Sequence, residues 1–375
     1  MNKVVITRID DHLISAYLIG ETVYDLLIKD DKPDDISVGD IYVGRVQNVV
    51  DNIRAAFVEI GKGVIGYLPL SEEQKKHVKA EQEIIVQVKK PAKGTKEAVL
   101  TTNIELIGRY LVFQKKSNNT DRISVSRKIK VEETVNLLKD MVTELAGDPD
   151  PYITIRTNAS GVNEALIKSE YEMMHEKWKD ITLHGSQRTM YSRLYREQPF
   201  YIRHINNYGK EQIERIITDQ DDVYDELIRM LPEMTIERYE DISYPLEARY
   251  AVSTTMKKAS DRLVWLKSGA NLIIDRTEAM TVIDVNTAKA VEGKRASEST
   301  FFKINMEATD EVARQLRLRN ISGIILVDFI DMKEKEHNDQ LISRLREKLS
   351  EDPVRAVYVD MTGLGIIEIT RAKRF

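Results

Sequence analysis

The run Gly323-Ile324-Ile325-Leu326-Val327-Asp328-Phe329 constrains the fold of this chain more than any other segment. It is apolar at every position but its glycine and one aspartate. Such a continuous run predicts a strand covered on both faces. Its neighbours are equally regular. Phe302–Asn320 carries helical spacing and stops before Ile321-Ser322-Gly323, and His337–Leu349 reads as a second helix stopped by Pro353. Asn271–Ile274 and Thr281–Val285 read as strands, and Arg355–Asp360 and Gly365–Thr370 as a hairpin across Met361-Thr362-Gly363-Leu364.

Two of these strands end in an acid. Thr281-Val282-Ile283-Asp284-Val285-Asn286 places Asp284 and Asn286 on one strand face, two residues apart, and Asp328 closes the apolar run. A carboxylate at the end of an apolar strand is costly unless it is paired, hydrogen-bonded or bound to a metal. Two readings follow. In one, the acids cap helices or pair with nearby Arg and Lys. In the other, they hold a divalent cation, and oxygen donors select Mg²⁺, or Mn²⁺, over softer ions. Asp331 precedes Met332-Lys333-Glu334-Lys335 and reads as an N-cap or supporting acid.

Upstream, the texture changes several times. Val4–Leu27 alternates in part and reads as one strand, a turn at Gly20-Glu21 and a second strand, Thr22–Ile28. The segment 30–35 is a polar linker. Asp40–Val50, Arg54–Ile60, Gly63–Leu68, Gln82–Lys89 and Glu97–Thr102 are short and β-branched, a spacing that predicts a small barrel. Strands Tyr110–Gln114 and Ile123–Ser126 flank a basic loop. A helix from Val131 to Leu145, a strand Tyr152–Arg156, and helices over 161–183 and 187–196 are predicted next. Residues 200–265 mix short elements.

The 375 residues include no cysteine, which excludes disulfides and thiolate metal sites. A formal charge of −5 argues against a uniformly basic nucleic-acid coat but not against local patches. One such patch holds Lys115, Lys116, Arg122, Arg127, Lys128 and Lys130 against Asp121 alone. No stretch approaches a membrane span or a signal peptide, so a cytoplasmic location without membrane partners is expected.

Ile283-Asp284-Val285-Asn286-Thr287, Glu311-Val312-Ala313-Arg314-Gln315-Leu316-Arg317-Leu318-Arg319, GIILVDFIDM at 323–332 and Ala55-Ala56-Phe57-Val58-Glu59-Ile60-Gly61 together resemble the ribonuclease E/G family of bacterial endoribonucleases. The likeness runs along essentially the whole chain. It implies an α+β assembly of four subdomains. These are an RNase H-like subdomain without RNase H catalysis (1–36 and 200–265), an S1-type OB barrel (37–103), a 5′-sensor (104–199) and a DNase I-like catalytic subdomain (266–375).

The resemblance also implies roles. Asp284 and Asp328 would bind Mg²⁺, and Asn286 would orient a carboxylate and the scissile phosphate. Single-stranded RNA would be hydrolysed internally to 5′-phosphate and 3′-hydroxyl products, in rRNA processing or mRNA decay. Phe57 and Tyr67 would stack bases, Lys96 and Arg355 would contact RNA, and Arg156, Thr157 and Arg127 would form a 5′-monophosphate pocket. An inactive RNA-binding member of the family is the alternative. A homodimer or higher oligomer is implied too. Its usual Cys-x-x-Cys zinc link, expected shortly after 369–374, finds no cysteine here, so structural Zn²⁺ of that kind is not supported.

Overall fold

The computed structural model describes residues 2–30, 36–92, 96–115, 121–147, 151–208, 212–291 and 297–374. The polar linker at 31–35 and much of the basic loop, including Lys116, lie outside them. The chain divides into two compact units, one of residues 1–31 with 200–374 and one of residues 32–199.

The first unit opens on three antiparallel strands, β1 (Asn2–Ile9), β2 (His12–Ile19) and β3 (Thr22–Asp30). The sequence reading merged β1 and β2. Their connection is an acidic turn in which Asp10 adopts a left-handed φ of 51°, a conformation that Asp tolerates better than most residues. The period-2 pattern continues straight through it, so nothing apolar marked the break.

The second unit contains the barrel. Strands β4 (Ile41–Val50), β5 (Ala55–Gly61), β6 (Val64–Pro69), β7 (Glu83–Lys90) and β8 (Ala98–Thr101) follow one another, with the short helix α1 (Glu72–Lys75) between β6 and β7. The order β4-β5-β6-β8-β7 closes through pairing of β4 with β7. Val46, Val58, Leu68, Val86 and Leu100 fill its interior. Beyond it, β9 (Glu105–Ile107), β10 (Leu111–Gln114), β11 (Ile123–Val125) and β12 (Tyr152–Ile155) form a four-stranded sheet. Helices α2 (Glu132–Leu145) and α3 (Glu164–Lys179) pack on it through Leu138, Val142, Ile167, Tyr171 and Trp178. The segment 187–196 is not helical. It holds β13 (Arg193–Tyr195), which pairs with Ile41 and Tyr42 at the start of β4. That pairing is a tertiary contact, invisible to local periodicity.

The first unit resumes at α4 (Phe200–Ile205), β14 (Arg215–Thr218), α5 (Asp221–Met230), β15 (Ile236–Arg238), α6 (Leu246–Arg249) and α7 (Val252–Lys258). Strands β14 and β15 join β1 in parallel, giving the order β15-β14-β1-β2-β3. Alternate side chains of this sheet face two cores. Val4, Ile6 and Ile216 meet α4 and α5, whereas Val5, Ile14 and Ile217 meet α6 and α7.

The last sheet has the order β16-β17-β18-β19-β21-β20. Its strands are β16 (Leu263–Trp265), β17 (Asn271–Arg276), β18 (Met280–Asn286), β19 (Gly323–Asp328), β20 (Ala356–Met361) and β21 (Ile367–Arg371). Helices α8 (Glu298–Leu318) and α9 (Lys335–Ser350) cover one face. Ile283, Val285, Ile325 and Val327 pack there on Ile304, Ala308, Val312, Leu341 and Leu345. The other face is open. Ile324 is 49% exposed and Val282 37%, so the apolar run is covered on one face only. The expectation of two covered faces fails because both helices lie on the same side. Helix α8 also ties the two sheets of this unit together. Arg314 donates to the carbonyl of Val23 at 2.9 Å, and the Arg317 guanidinium lies 4.1 Å over the Tyr24 ring.

Candidate functional site

Parallel pairing of β18 with β19 sets Asp284 directly opposite Asp328. Both side chains point to the open face, because Ile283, Val285 and Val327 on the alternate positions are buried. Neighbouring strands lie about 4.8 Å apart, so the two carboxylates are close enough to repel strongly. The Asp328 carboxyl is raised above its ordinary range, first by partial desolvation and then by Asp284 and Asp331. No Lys or Arg pairs with these three acids among the described residues. The amide Nδ2 of Asn286 donates to Asp284 Oδ2 at 2.7 Å, which fixes that carboxylate from within its own strand.

Asp328 is solvent-exposed rather than sunk in the core, and the shift of its carboxyl combines partial desolvation with the charges of Asp284 and Asp331. Asp331 does not cap α9. That position belongs to Glu334, and its side chain makes no capping bond. Asp331 lies instead on the loop after β19, within the field of Asp328. The loop is clamped by a residue the sequence reading passed over. Asn305, fully buried in α8, donates to the Ile330 carbonyl at 2.8 Å and accepts from the Ile330 N–H at 3.1 Å. A polar side chain inside an apolar helix stripe was its only signal.

Arg355 is placed elsewhere. It precedes β20, whose first residue pairs with Arg371, and Arg371 pairs with Gly323 at the far end of β19 from Asp328. The exposed Arg355 therefore sits at the opposite end of the sheet, two strands away, and is not brought to the aspartates. The turn at 362–365 is the nearer neighbour, since a β-carbon added to Gly365 would meet the Asp331 carboxylate at 3.8 Å.

On the barrel, Phe57 and Tyr67 are cross-strand partners. Their ring centroids are 6.1 Å apart at 68°, and neither belongs to the barrel core. Both are half-buried. Lys96 is exposed, two residues before Ala98, which pairs with Gly66 beside Tyr67.

Arg156, Thr157 and Arg127, expected to form a 5′-phosphate pocket, do not all face solvent. Thr157 is exposed, and its hydroxyl lies 2.9 Å from that of Ser126. Arg127 and Lys128 follow Ser126 on the surface. The Arg156 guanidinium turns inward and donates to the Gly108 carbonyl at 2.6 Å. Burial lowers its pKa, while Glu170 and Glu105 oppose that shift. Glu170 in turn accepts from the backbone N–H groups of Arg109, Tyr110 and Leu111. Arg156 thus braces the loop before β10.

The profile of the Ribonuclease E/G family matches residues 105–374, and that of the S1 RNA binding domain matches residues 35–103. The chain belongs to the ribonuclease E/G family. It is 36% identical over 383 residues to Ribonuclease G of Escherichia coli K12, covering 96% of this chain and 77% of that protein. Ribonuclease G of Haemophilus influenzae is 34% identical over 360 residues, with 90% and 72% covered. Ribonuclease E of Escherichia coli K12 is 31% identical across 97% of this chain but only 36% of its own length. Membership makes the chain an endoribonuclease with an S1 RNA-binding domain, and its 375 residues include no cysteine. Among the described residues no helix is long and apolar enough to cross a membrane.

Proposed function

We propose that the chain is a Mg²⁺-dependent endoribonuclease acting on single-stranded RNA, with Asp284 and Asp328 as metal ligands and Asn286 as the group that orients Asp284 and the scissile phosphate. The observation that carries this reading is the register of Asp284 against Asp328, with Asn286 bonded to Asp284. The residues fit such an ion. Asp284 faces Asp328 in register, no Lys or Arg pairs with either among the described residues, the donor set is all oxygen, and a hard divalent cation would relieve the repulsion that, after desolvation, helps raise the Asp328 carboxyl. When bound, the ion supplies Lewis-acid polarisation of a phosphoryl oxygen and lowers the pKa of a water.

The chain's own residues do the rest. Asn286 holds Asp284 in one rotamer, and its remaining N–H is a donor for a phosphate oxygen. Asn305 fixes the loop that carries Asp331. Phe57 and Tyr67 offer stacking faces for unpaired bases, which a duplex would hide. Thr157, Ser126, Arg127 and the nearby Arg156 form the reading of a 5′-monophosphate pocket, in which the hydroxyl pair and the surface cations grip the phosphate and Arg156 supports the loop beneath. Products would carry 5′-phosphate and 3′-hydroxyl ends, and RNA processing or decay in the cytoplasm is the matching role. In this reading 1–36 with 200–265 is the RNase H-like subdomain, 37–103 the barrel, 104–199 the 5′-sensor and 266–375 the DNase I-like subdomain.

The test uses a 3′-labelled single-stranded RNA bearing 5′-monophosphate, 5′-hydroxyl or 5′-triphosphate. Internal cuts that need Mg²⁺ and vanish in Asp284→Asn and Asp328→Asn are expected, with faster cutting of the monophosphate. Undiminished cleavage in both variants overturns the metal assignment. A mononucleotide ladder overturns endonucleolytic action, and equal rates for the three ends overturn the sensor. RNA binding without any cleavage by the unaltered chain would make it the inactive member.

A further inference from the structure

A second group of ligating side chains lies in the same unit, away from the aspartate pair. Glu298 is the first residue of α8, Glu334 the residue before α9, and His337 lies one turn into α9. One donor atom from each falls within 4.8 Å of the others. His337 Nδ1 is 3.5 Å from Glu298 Oε1 and 3.5 Å from Glu334 Oε2. It has no access to solvent and makes no hydrogen bond. The ring cannot easily turn away, because it stacks on Phe302 at 4.4 Å and 18°. Glu298 is also held in place. Its Oε1 accepts the Glu334 N–H at 2.6 Å, and these contacts keep its carboxyl below the usual range.

We infer that Glu298, Glu334 and His337 form a binding site for a borderline transition-metal ion, Zn²⁺ being the best fit. A tetrahedral ion with Zn–N and Zn–O bonds of about 2.0–2.1 Å has donors about 3.3–3.4 Å apart, close to the two distances from His337 Nδ1 to the carboxylates, and leaves one position for water. The imidazole nitrogen disfavours Mg²⁺, which takes oxygen ligands and dehydrates reluctantly. The two sites therefore sort ions by donor type: all-oxygen at Asp284 and Asp328, mixed nitrogen and oxygen here. A bare ion pair explains the arrangement less well, since it leaves the solvent-shielded Nδ1 at 3.5 Å from both carboxylates, longer than an ordinary N–H···O bond. The ion would pin the first turns of α8 and α9 together. Glu334 closes the loop that begins just after Asp328, so the site acts on the position of that loop. It shares no residue with the Mg²⁺ reading and stands or falls separately.

The experiment is calorimetric titration of the full chain, stripped with chelator, using Zn²⁺ in the presence of excess Mg²⁺. One Zn²⁺ per chain is expected, with a rise in melting temperature. His337→Phe, which preserves the stack on Phe302, and Glu334→Gln, at an exposed position, should each weaken binding on the order of tenfold or more. Both should melt like the unaltered chain when no metal is present. The double variant Asp284→Asn/Asp328→Asn should keep the Zn²⁺ site. The absence of stoichiometric Zn²⁺ binding overturns the proposal. So does binding unchanged in both His337→Phe and Glu334→Gln, or binding lost in the aspartate double variant.

Discussion

Asn286 donates its side-chain amide to Asp284 two residues earlier on the same strand, at 2.7 Å. The bond spans one pleat and needs no other element, so it is formed as soon as β18 is extended. Replacing the amide should disturb orientation and little else. Asn286→Ala is expected to slow single-turnover RNA cleavage by about 10- to 100-fold, the usual cost of losing a group that orients a metal ligand. Its melting temperature should be nearly unchanged, because Asn286 is not part of the core.

Asp328 should trade stability against activity. Its carboxyl is raised in the folded protein, by desolvation first and by Asp284 and Asp331 next. A raised acid binds its proton more tightly when folded. Its charged form therefore destabilises the metal-free fold above the folded pKa, and that penalty fades as pH falls. Asp328→Asn should raise the melting temperature of the metal-free chain at neutral pH by about 1–2 °C, the scale of a surface substitution, while abolishing cleavage. A scan in chelator, repeated at pH 4, should show the difference shrinking.

Phe57→Ala and Tyr67→Ala should each weaken binding of a single-stranded RNA by about 1–3 kcal/mol, as measured by fluorescence anisotropy. Neither ring belongs to the barrel core, so both variants should melt close to the unaltered chain. A large loss of stability in either would mean that the ring is structural.

Asp25 and Arg374 form a buried pair, with guanidinium-to-carboxylate distances of 2.6 and 2.8 Å. Burial alone would raise the Asp25 carboxyl, but Arg374 and His204 overcome it and hold it far below the usual range. A depressed acid contributes stability above its unfolded pKa and loses that contribution as pH falls toward the folded value. The unaltered chain should therefore lose stability below about pH 4, and Asp25→Asn should flatten that part of the curve. Arg374→Ala removes the cationic partner of buried Asp25, which keeps only neighbours such as His204 and Tyr208, and should cost about 3–5 kcal/mol in urea unfolding.

The sequence by itself determined the barrel strands and the two strands that end in Asp284 and Asp328. Period-2 alternation and β-branched runs located the five barrel strands, because a half-buried strand repeats every two residues whatever its partner. Residues 284 and 286 were legible as one face for the same reason, and the ordered motifs around them identified the family. Only the tertiary structure decided what meets what. The register that sets Asp328 against Asp284 depends on α8 returning the chain in parallel, and no local pattern specifies it. Placement of both helices on one side exposed Ile324 and Val282, and a composition rule for covered strands could not foresee that. The inward turn of Arg156, the distance of Arg355 from the acids and the meeting of Glu298, Glu334 and His337 are likewise long-range. Each is set by how whole elements pack, and side chains far apart in sequence acquire a common environment only after the elements that carry them have packed.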